Sequence, residues 1–176
     1  WDEELVKAGI RSLCYNYYDG ARSFMGPKEY KTPADLDGVV VRTPGADPYS
    51  RSIEALGATP YNIAWSEVYN SIQTKAIDAC EVQYTSAVSS KIFEVCNYVS
   101  KTEHINLFNI VICGEAWFST LPAEYQQILK DDFFSCAYDS AQEVIAAQAV
   151  LEKQLVDNGM TIVEVDLDAF KEAAKS

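Results

Sequence analysis

The chain has 176 residues, of which 48% are hydrophobic and 23% charged, and its formal net charge is −12. This length suits one domain or part of a two-lobed protein, and this balance excludes a disordered or fibrous chain. An acidic chain repels phosphate backbones and anionic lipids, so nucleic acid is not an expected partner, although arginines gathered in a cleft can still bind an anion.

The first half of the chain alternates strands with helices. We predict a helix over residues 3–9, a strand over 11–17 and a turn at Asp19-Gly20, followed by a loop over residues 25–38. Strands are predicted over 39–42, 60–63 and 76–82, with helices over 48–56 and 66–75, the second capped by Ser66.

The second half contains a long uninterrupted helical pattern. We predict a helix over 84–95, strands over 98–101 and 107–113, and one helix from Pro122 to about Asn158, since no proline or glycine interrupts it. At 1.5 Å per residue that helix reaches roughly 50 Å, which is enough to cross between two lobes. A strand over 161–165 and a helix capped by Asp166 end the pattern, which predicts an α/β fold with a parallel or mixed sheet.

Cysteine, histidine and apolar residues narrow the class further. No C-x-x-C pair occurs and the chain has one histidine, so we expect no metal site and no cofactor, and most cysteines should be buried apolar residues. The residues hold no apolar run of 18 and open on Trp1-Asp2-Glu3-Glu4, so neither a membrane span nor a signal peptide is expected within them. A mature chain would already have lost a signal peptide.

An ordered series of short motifs carries a family resemblance. The motifs are Asp35-Leu36-Asp37-Gly38, Val41-Arg42-Thr43-Pro44-Gly45, Ala55-Leu56-Gly57-Ala58-Thr59-Pro60, Trp65-Ser66-Glu67-Val68-Tyr69 and Ala76-Ile77-Asp78-Ala79-Cys80-Glu81, with Gly20-Ala21-Arg22 before them and Trp117-Phe118-Ser119-Thr120-Leu121-Pro122 after them. In this order the chain resembles the solute receptors of tripartite ATP-independent periplasmic (TRAP) transporters, of the DctP-like family.

The resemblance implies a periplasmic-binding-protein-like two-lobed fold, of which this chain is a C-terminal fragment lacking most of the first lobe. It implies that residues 1–19 are a remnant of the first lobe and the entry to the hinge, and that residues 20–107 form the ligand-binding core of the second lobe. Residues 108–147 would supply a first-lobe strand and the start of the crossing helix. Residues 148–176 would complete that helix and add a strand and a helix to the second lobe.

The resemblance also assigns a ligand site. Arg42 matches the arginine that pairs with the ligand's carboxylate, and Arg22 matches a second arginine on the same side of the cleft. A guanidinium offers two parallel donors that match a carboxylate and stays charged when water is excluded. The alternative for either residue is an ordinary surface arginine.

Four further positions complete the predicted site. Trp65 matches an aromatic position beside the ligand, although a tryptophan before a helix also serves as a core anchor. Val82 stands where the family often has a polar or aromatic contact, which favours a less hydroxylated acid, and Gln83 and Tyr84 are candidates for polar contacts instead. Glu81 is expected to be structural, because a carboxylate beside the ligand's own repels it unless protonated or paired.

The expected function is therefore an extracytoplasmic receptor, periplasmic or lipid-anchored, that binds a small organic carboxylate and passes it to a small and a large membrane subunit. Without the first lobe, the exposed surface would favour a dimer of the fragment. No catalytic residues are assigned, since no hydrolase, nucleotide-binding or metalloprotease motif occurs. The alternatives are the ligand-sensing domain of a signalling receptor and a Cys/His hydrolase built on His104.

Overall fold

The computed structural model describes residues 1–175 and contains a six-stranded mixed sheet flanked by helices. The chain forms two compact units. Unit 1 comprises residues 1–20 and 106–148, and unit 2 comprises residues 21–105 and 149–176, of which Ser176 lies outside the described residues. The predicted α/β class is confirmed.

The elements alternate along most of the chain. The strands are β1 (Ile10–Gly26), β2 (Val40–Thr43), β3 (Thr59–Asn62), β4 (Ala79–Val82), β5 (Tyr98–Gly114) and β6 (Thr161–Val163). The helices are α1 (Asp2–Lys7), α2 (Asp47–Ala55), α3 (Trp65–Gln73), α4 (Tyr84–Ser89), α5 (Glu115–Phe118), α6 (Ala123–Asp157) and α7 (Leu167–Ala173), with short 3-10 turns at Pro33–Leu36 and Ile92–Glu94. None of the helices in residues 1–175 has both the length and the apolar character of a membrane-spanning segment.

The strand order is β3-β2-β4-β1-β5-β6. Strand β2 runs parallel to both β3 and β4, so the carboxyl ends of these three strands meet at one edge of the sheet. Strand β1 runs antiparallel to β4, with Phe24 opposite Glu81 and Met25 opposite Cys80. Successive side chains of a strand point to opposite faces, so this register assigns each residue to a face.

Unit 2 has a hydrophobic core on each face of its sheet. On one face Met25, Cys80 and Val82 pack with Val68 and Ile72, which lie four residues apart on α3 and form its buried stripe. On the other face Phe24, Val41 and Ala79 pack with Ile53 of α2 and Phe170 of α7. The sheet is therefore covered by helices on both sides, which explains why β4 is buried along its whole length.

Unit 1 exposes more of its apolar surface. Its buried apolar residues include Cys14 and Phe118. Arg11 forms a two-point ion pair with Glu115, with nitrogen–oxygen distances of 2.7 and 2.8 Å. On β5, alternate side chains are exposed, namely Phe108, Ile110 and Ile112. An alternating strand of this kind normally has one face covered, so this apolar face lacks a cover within the described residues.

The helix prediction for residues 122–158 is confirmed by α6, and the predicted cap of the last helix is confirmed because the Asp166 carboxylate accepts from the Ala169 amide at 3.0 Å. The Ser66 cap is wrong. Helix α3 begins at Trp65 after Ala64, and the carboxylate of Glu67 accepts from the Ala64 amide at 3.1 Å.

Three boundary predictions are also wrong, each at a residue with positive φ. No turn occurs at Asp19-Gly20, because β1 continues through Gly20 at φ 110°. The strands predicted at 98–101 and 107–113 are one strand, β5, which accommodates Glu103 at φ 46°. The helix predicted over 84–95 is divided by Lys91 at φ 52°, and α5 was not predicted.

Candidate functional site

The predicted site residues lie in unit 2, around the edge where β2 and β4 end. In sheets of this kind, ligands bind outside the carboxyl ends of parallel strands. Arg42 is opposite Cys80 in the register, whereas Arg22 lies two residues before Phe24, which is opposite Glu81. Arg42 therefore extends from the face that carries Cys80, and Arg22 from the face that carries Glu81.

Arg42 is a buried cation with incomplete hydrogen bonding. The residue is 6% exposed, and its Nε donates to the carbonyl of Ile63 at 3.1 Å. Within residues 1–175, its two terminal nitrogens have no hydrogen-bond acceptor, and neither is sealed from solvent. Burial, followed by the charge of Arg22, lowers the pKa of Arg42 from its ordinary value. A guanidinium nevertheless remains charged in proteins, so this group presents unused donors to an anion.

Trp65 lies beside this cation. The Cζ of Arg42 is 5.3 Å from the centre of the indole ring, within the range of a cation–π contact. The indole Nε1 donates to the Ser90 hydroxyl at 3.0 Å, which fixes the orientation of the ring. The structure therefore brings Arg42 and Trp65 together at the start of α3.

Arg22 is fully engaged with neighbouring groups. Its Nε and Nη2 donate to the two carboxylate oxygens of Glu81, the latter at 2.8 Å, and Nη2 also donates to the Glu81 carbonyl at 2.7 Å. Its Nη1 donates to the side-chain oxygen of Gln83 at 3.3 Å, and its guanidinium stands 5.2 Å from the ring centre of Tyr49. Every nitrogen of this side chain has an acceptor, in contrast to Arg42.

The Arg22–Glu81 pair is deeply buried, with side-chain exposures of 7% and 0%. Burial raises the pKa of Glu81 above its ordinary value, while Arg22 and Arg42 act in the opposite direction. Burial alone lowers the pKa of Arg22, but the hydrogen bonds and charge of Glu81 leave it raised. Glu81 is therefore buried and paired with Arg22, and its structural role stays a prediction.

His104 completes the cluster around Glu81. Its ring stacks on Phe24 at 4.6 Å, and its Nδ1 lies 2.9 Å from the Thr102 hydroxyl. Burial, then the charge of Arg22, lowers the pKa of His104 to about 3. The imidazole is therefore neutral, and its Nε2, 3.7 Å from a Glu81 oxygen, is too distant for a hydrogen bond. This histidine packs among Phe24, Thr102 and Glu81, and its pKa is far from that of a general base at neutral pH.

The remaining predicted residues divide between this cluster and the core. Gln83 precedes α4, is 6% exposed and bonds to Arg22. Val82 and Tyr84 are 2% and 4% exposed, and both pack in the core on the face of α3 and α4. Burial raises the pKa of Tyr84, whose hydroxyl has no partner within residues 1–175. The structure gives Val82 and Tyr84 packing contacts, and the predicted residues with polar contacts are Arg22, Arg42, Trp65 and Gln83.

Sequence reasoning missed two members of the site, Tyr49 beside Arg22 and the Ile63 carbonyl beside Arg42. Their positions follow from the pairing of β2 with β3 and from the entry of α2, neither of which has a local motif. Among residues 1–175, no group of three His, Cys, Asp or Glu side chains is arranged to hold a metal ion.

Residues 1–176 match the family described as bacterial extracellular solute-binding protein, family 7. A solute-binding protein of Roseobacter denitrificans is 32% identical over 176 residues, a match that covers 97% of this chain and 52% of the relative. Its crystal structure with bound L-galactonate has a TM-score of 0.87, with 99% of this chain and 58% of that chain covered.

Two further solved structures are similar. A TRAP periplasmic solute binding protein from Escherichia fergusonii, solved in an apo open form, has a TM-score of 0.89 and 36% identity, covering 99% of this chain and 60% of that chain. One from Fusobacterium nucleatum with bound sn-glycerol-3-phosphate has a TM-score of 0.93 and 28% identity, and the match covers 98% of this chain and 56% of that chain. The chain thus spans about half the length of the curated relatives it matches, and it belongs to the bacterial extracellular solute-binding protein family 7.

Proposed function

We propose that this chain is the greater part of the ligand-binding lobe of an extracytoplasmic receptor, which binds a small organic carboxylate for a TRAP transporter. The ligand's carboxylate accepts two parallel hydrogen bonds from the terminal nitrogens of Arg42. Trp65 forms an apolar wall beside it, and Gln83 supplies a polar contact on the Arg22 side. The family membership and the ligands named for similar proteins support this function.

The observation that carries the proposal is the unpaired state of Arg42. A charged side chain is costly to bury unless it is paired and hydrogen-bonded, and Arg42 as a residue is only 6% exposed. The two terminal nitrogens of Arg42 have no acceptor in the described chain, whereas all nitrogens of Arg22 have one. A carboxylate is the planar anion that satisfies both donors at once, so binding it relieves an existing cost.

We further propose that unit 2, with its core around β2 and β4, is the second lobe, and that unit 1 contributes to the first. Binding selects a closed state that docks on a small and a large membrane subunit. This assignment rests on the family resemblance and on the uncovered apolar strand of unit 1, Phe108 to Ile112. The same exposed strand favours dimerisation of the chain by itself.

The test is ligand-induced stabilisation in a thermal-shift screen of organic acids, including L-galactonate. It is run on the chain and on a chimera that adds the part of the Roseobacter denitrificans relative left uncovered by the match. Arg42→Ala should abolish the shift caused by a stabilising acid, because both donors are lost. The matched control is Arg51→Ala, since the Arg51 side chain is 80% exposed on α2.

An acid that stabilises the Arg42→Ala chimera as strongly as the unaltered chimera would refute the assigned role. Mass spectrometry of the same samples checks the receptor function itself. Conversion of a stabilising acid into a product would identify an enzyme.

A further inference from the structure

We propose that Glu81 determines the charge of the ligand, by neutralising Arg22 and leaving Arg42 as the one uncompensated cation of the site. The site then selects acids with a single negative charge over dianions such as dicarboxylates and phosphate monoesters. The inference rests on the proposed function and adds a selectivity to it.

The ion pair between Arg22 and Glu81 has a two-point geometry. Glu81 engages Arg22 through both carboxylate oxygens, and its carbonyl accepts a third hydrogen bond from the same guanidinium. The register places Glu81 on the face opposite Arg42, so its two-point contact is made with Arg22. With an exposure of 0% for the Glu81 side chain, solvent does not compete for this contact.

The charges of the groups around Arg42 set the net charge that a ligand meets. The titratable groups that act on it are Arg22, Glu81, Cys80 and Tyr49. A hydrogen bond with the neighbouring Cys96 thiol, followed by burial, raises the pKa of Cys80, so this thiol is uncharged at neutral pH. His104, which faces Glu81, is neutral as well. The cluster therefore carries two positive charges and one negative charge.

The net charge of this cluster changes the binding free energy of mono- and dianionic ligands by different amounts. A monocarboxylate brings one negative charge, which pairs with Arg42 and leaves the cluster neutral. The second charge of a dianion loses hydration and gains no unpaired cation in this part of the chain, and such a charge is costly in a low-dielectric site. We expect the monoanion to bind about tenfold more tightly than a dianion of the same skeleton.

The experiment compares L-galactonate with galactarate, which has the same six-carbon skeleton and a second carboxylate in place of the terminal hydroxymethyl group. Dissociation constants are measured by calorimetry or NMR titration at constant ionic strength, because screening changes both values. The proteins are the chain and the chimera described above, each unaltered, with Glu81→Gln, and with the double change Arg22→Gln/Glu81→Gln.

The expected result for the unaltered proteins is a preference for galactonate of about tenfold. Glu81→Gln adds one net positive charge and should remove or reverse that preference, whereas the double variant restores the original charge and the preference with it. If Glu81→Gln does not fold, as judged by circular dichroism, the unaltered proteins and the double variant decide the question.

Two results would overturn the inference. One is tighter binding of galactarate by the unaltered proteins, and the other is a folded double variant that prefers the dianion. The failure of the proposed function looks different, because then no acid of the thermal-shift screen binds, galactonate and galactarate included. In that case both proposals fall together.

Discussion

Replacing Arg22 with methionine leaves Glu81 buried without its partner, and the structure sets the size of the effect. The pair is joined by hydrogen bonds that include a 2.8 Å contact from Nη2 to the carboxylate, with both side chains at most 7% exposed. Two unit charges about 4 Å apart attract by about 4 kcal/mol at an effective dielectric constant of about 20. This agrees with the roughly 3–5 kcal/mol typical of removing one member of a buried pair. We expect a loss of about 4 kcal/mol in the free energy of unfolding near pH 7.

The pH dependence of this loss has a definite sign. Burial already raises the pKa of Glu81 in the folded chain, and the variant removes the hydrogen bonds and the charge of Arg22 that lower it. The folded variant therefore keeps its Glu81 proton to higher pH than the unfolded chain, whose Glu81 pKa is near 4.5. The stability of the variant therefore falls as the pH rises from about 4.5 toward the higher pKa of Glu81 in the folded chain. The difference between variant and wild type should be larger at about pH 7 than at about pH 5.

Urea denaturation followed by tryptophan fluorescence measures both quantities. Arg51→Met is the matched control, since that arginine side chain is 80% exposed and its removal should cost under about 0.5 kcal/mol. The double variant Arg22→Met/Glu81→Leu removes both charges and should recover most of the stability. A cost of less than about 1 kcal/mol for Arg22→Met, or a double variant less stable than Arg22→Met, would show that the buried pair does not have this energy.

Four other measurements probe the same structure. The sole histidine, His104, should show no NMR titration between about pH 5 and pH 8, because burial and the charge of Arg22 lower its pKa to about 3. An inflection near pH 6.5 would contradict its burial. Since the unfolded histidine gains its proton near pH 6.5, stability should fall as the pH decreases from 6.5 toward 3. Leu155 is 0% exposed, and Leu155→Ala should lower the free energy of unfolding, measured by urea denaturation, by about 3 kcal/mol. Val156 is 48% exposed, and Val156→Ala should lower it by under about 0.5 kcal/mol. Equal losses would contradict the packing of α6. An alkylating reagent should modify the exposed Cys136 first and the buried Cys80 last, as followed by mass spectrometry. The reverse order would contradict the exposure of Cys136 and the burial of Cys80.

The elements with strong local signals were predictable. Helix α6 has no proline or glycine between Pro122 and its end, and Asp166 has the side chain of an N-cap. The boundaries that failed depend on backbone conformations that local chemistry does not specify. Glu103 at φ 46° lies within a continuous strand, and Lys91 at φ 52° divides a helix, although neither residue type favours positive φ.

The sequence indicated Arg42 and Trp65, which the structure brings together, but not the interactions that distinguish Arg42 from Arg22. The motif around Arg42 indicated a cation at the end of β2, and the structure places it beside Trp65 at 5.3 Å. The two arginines look alike in the sequence, yet one is saturated by hydrogen bonds and the other is not. That difference arises from the register of β1 and β4, which places Glu81 opposite Phe24, and such pairing between distant segments has no short-range signal.

The most direct measurement records the side-chain Nε–H resonances of the two arginines by NMR while a monocarboxylic sugar acid is added. We expect the Arg42 signal to shift until it saturates, while the Arg22 signal, held by Glu81, stays nearly constant. Arg42→Lys and Arg22→Lys assign the two peaks. A saturating shift of Arg22 with an unchanged Arg42 signal would contradict the claim that position 42 supplies the cation.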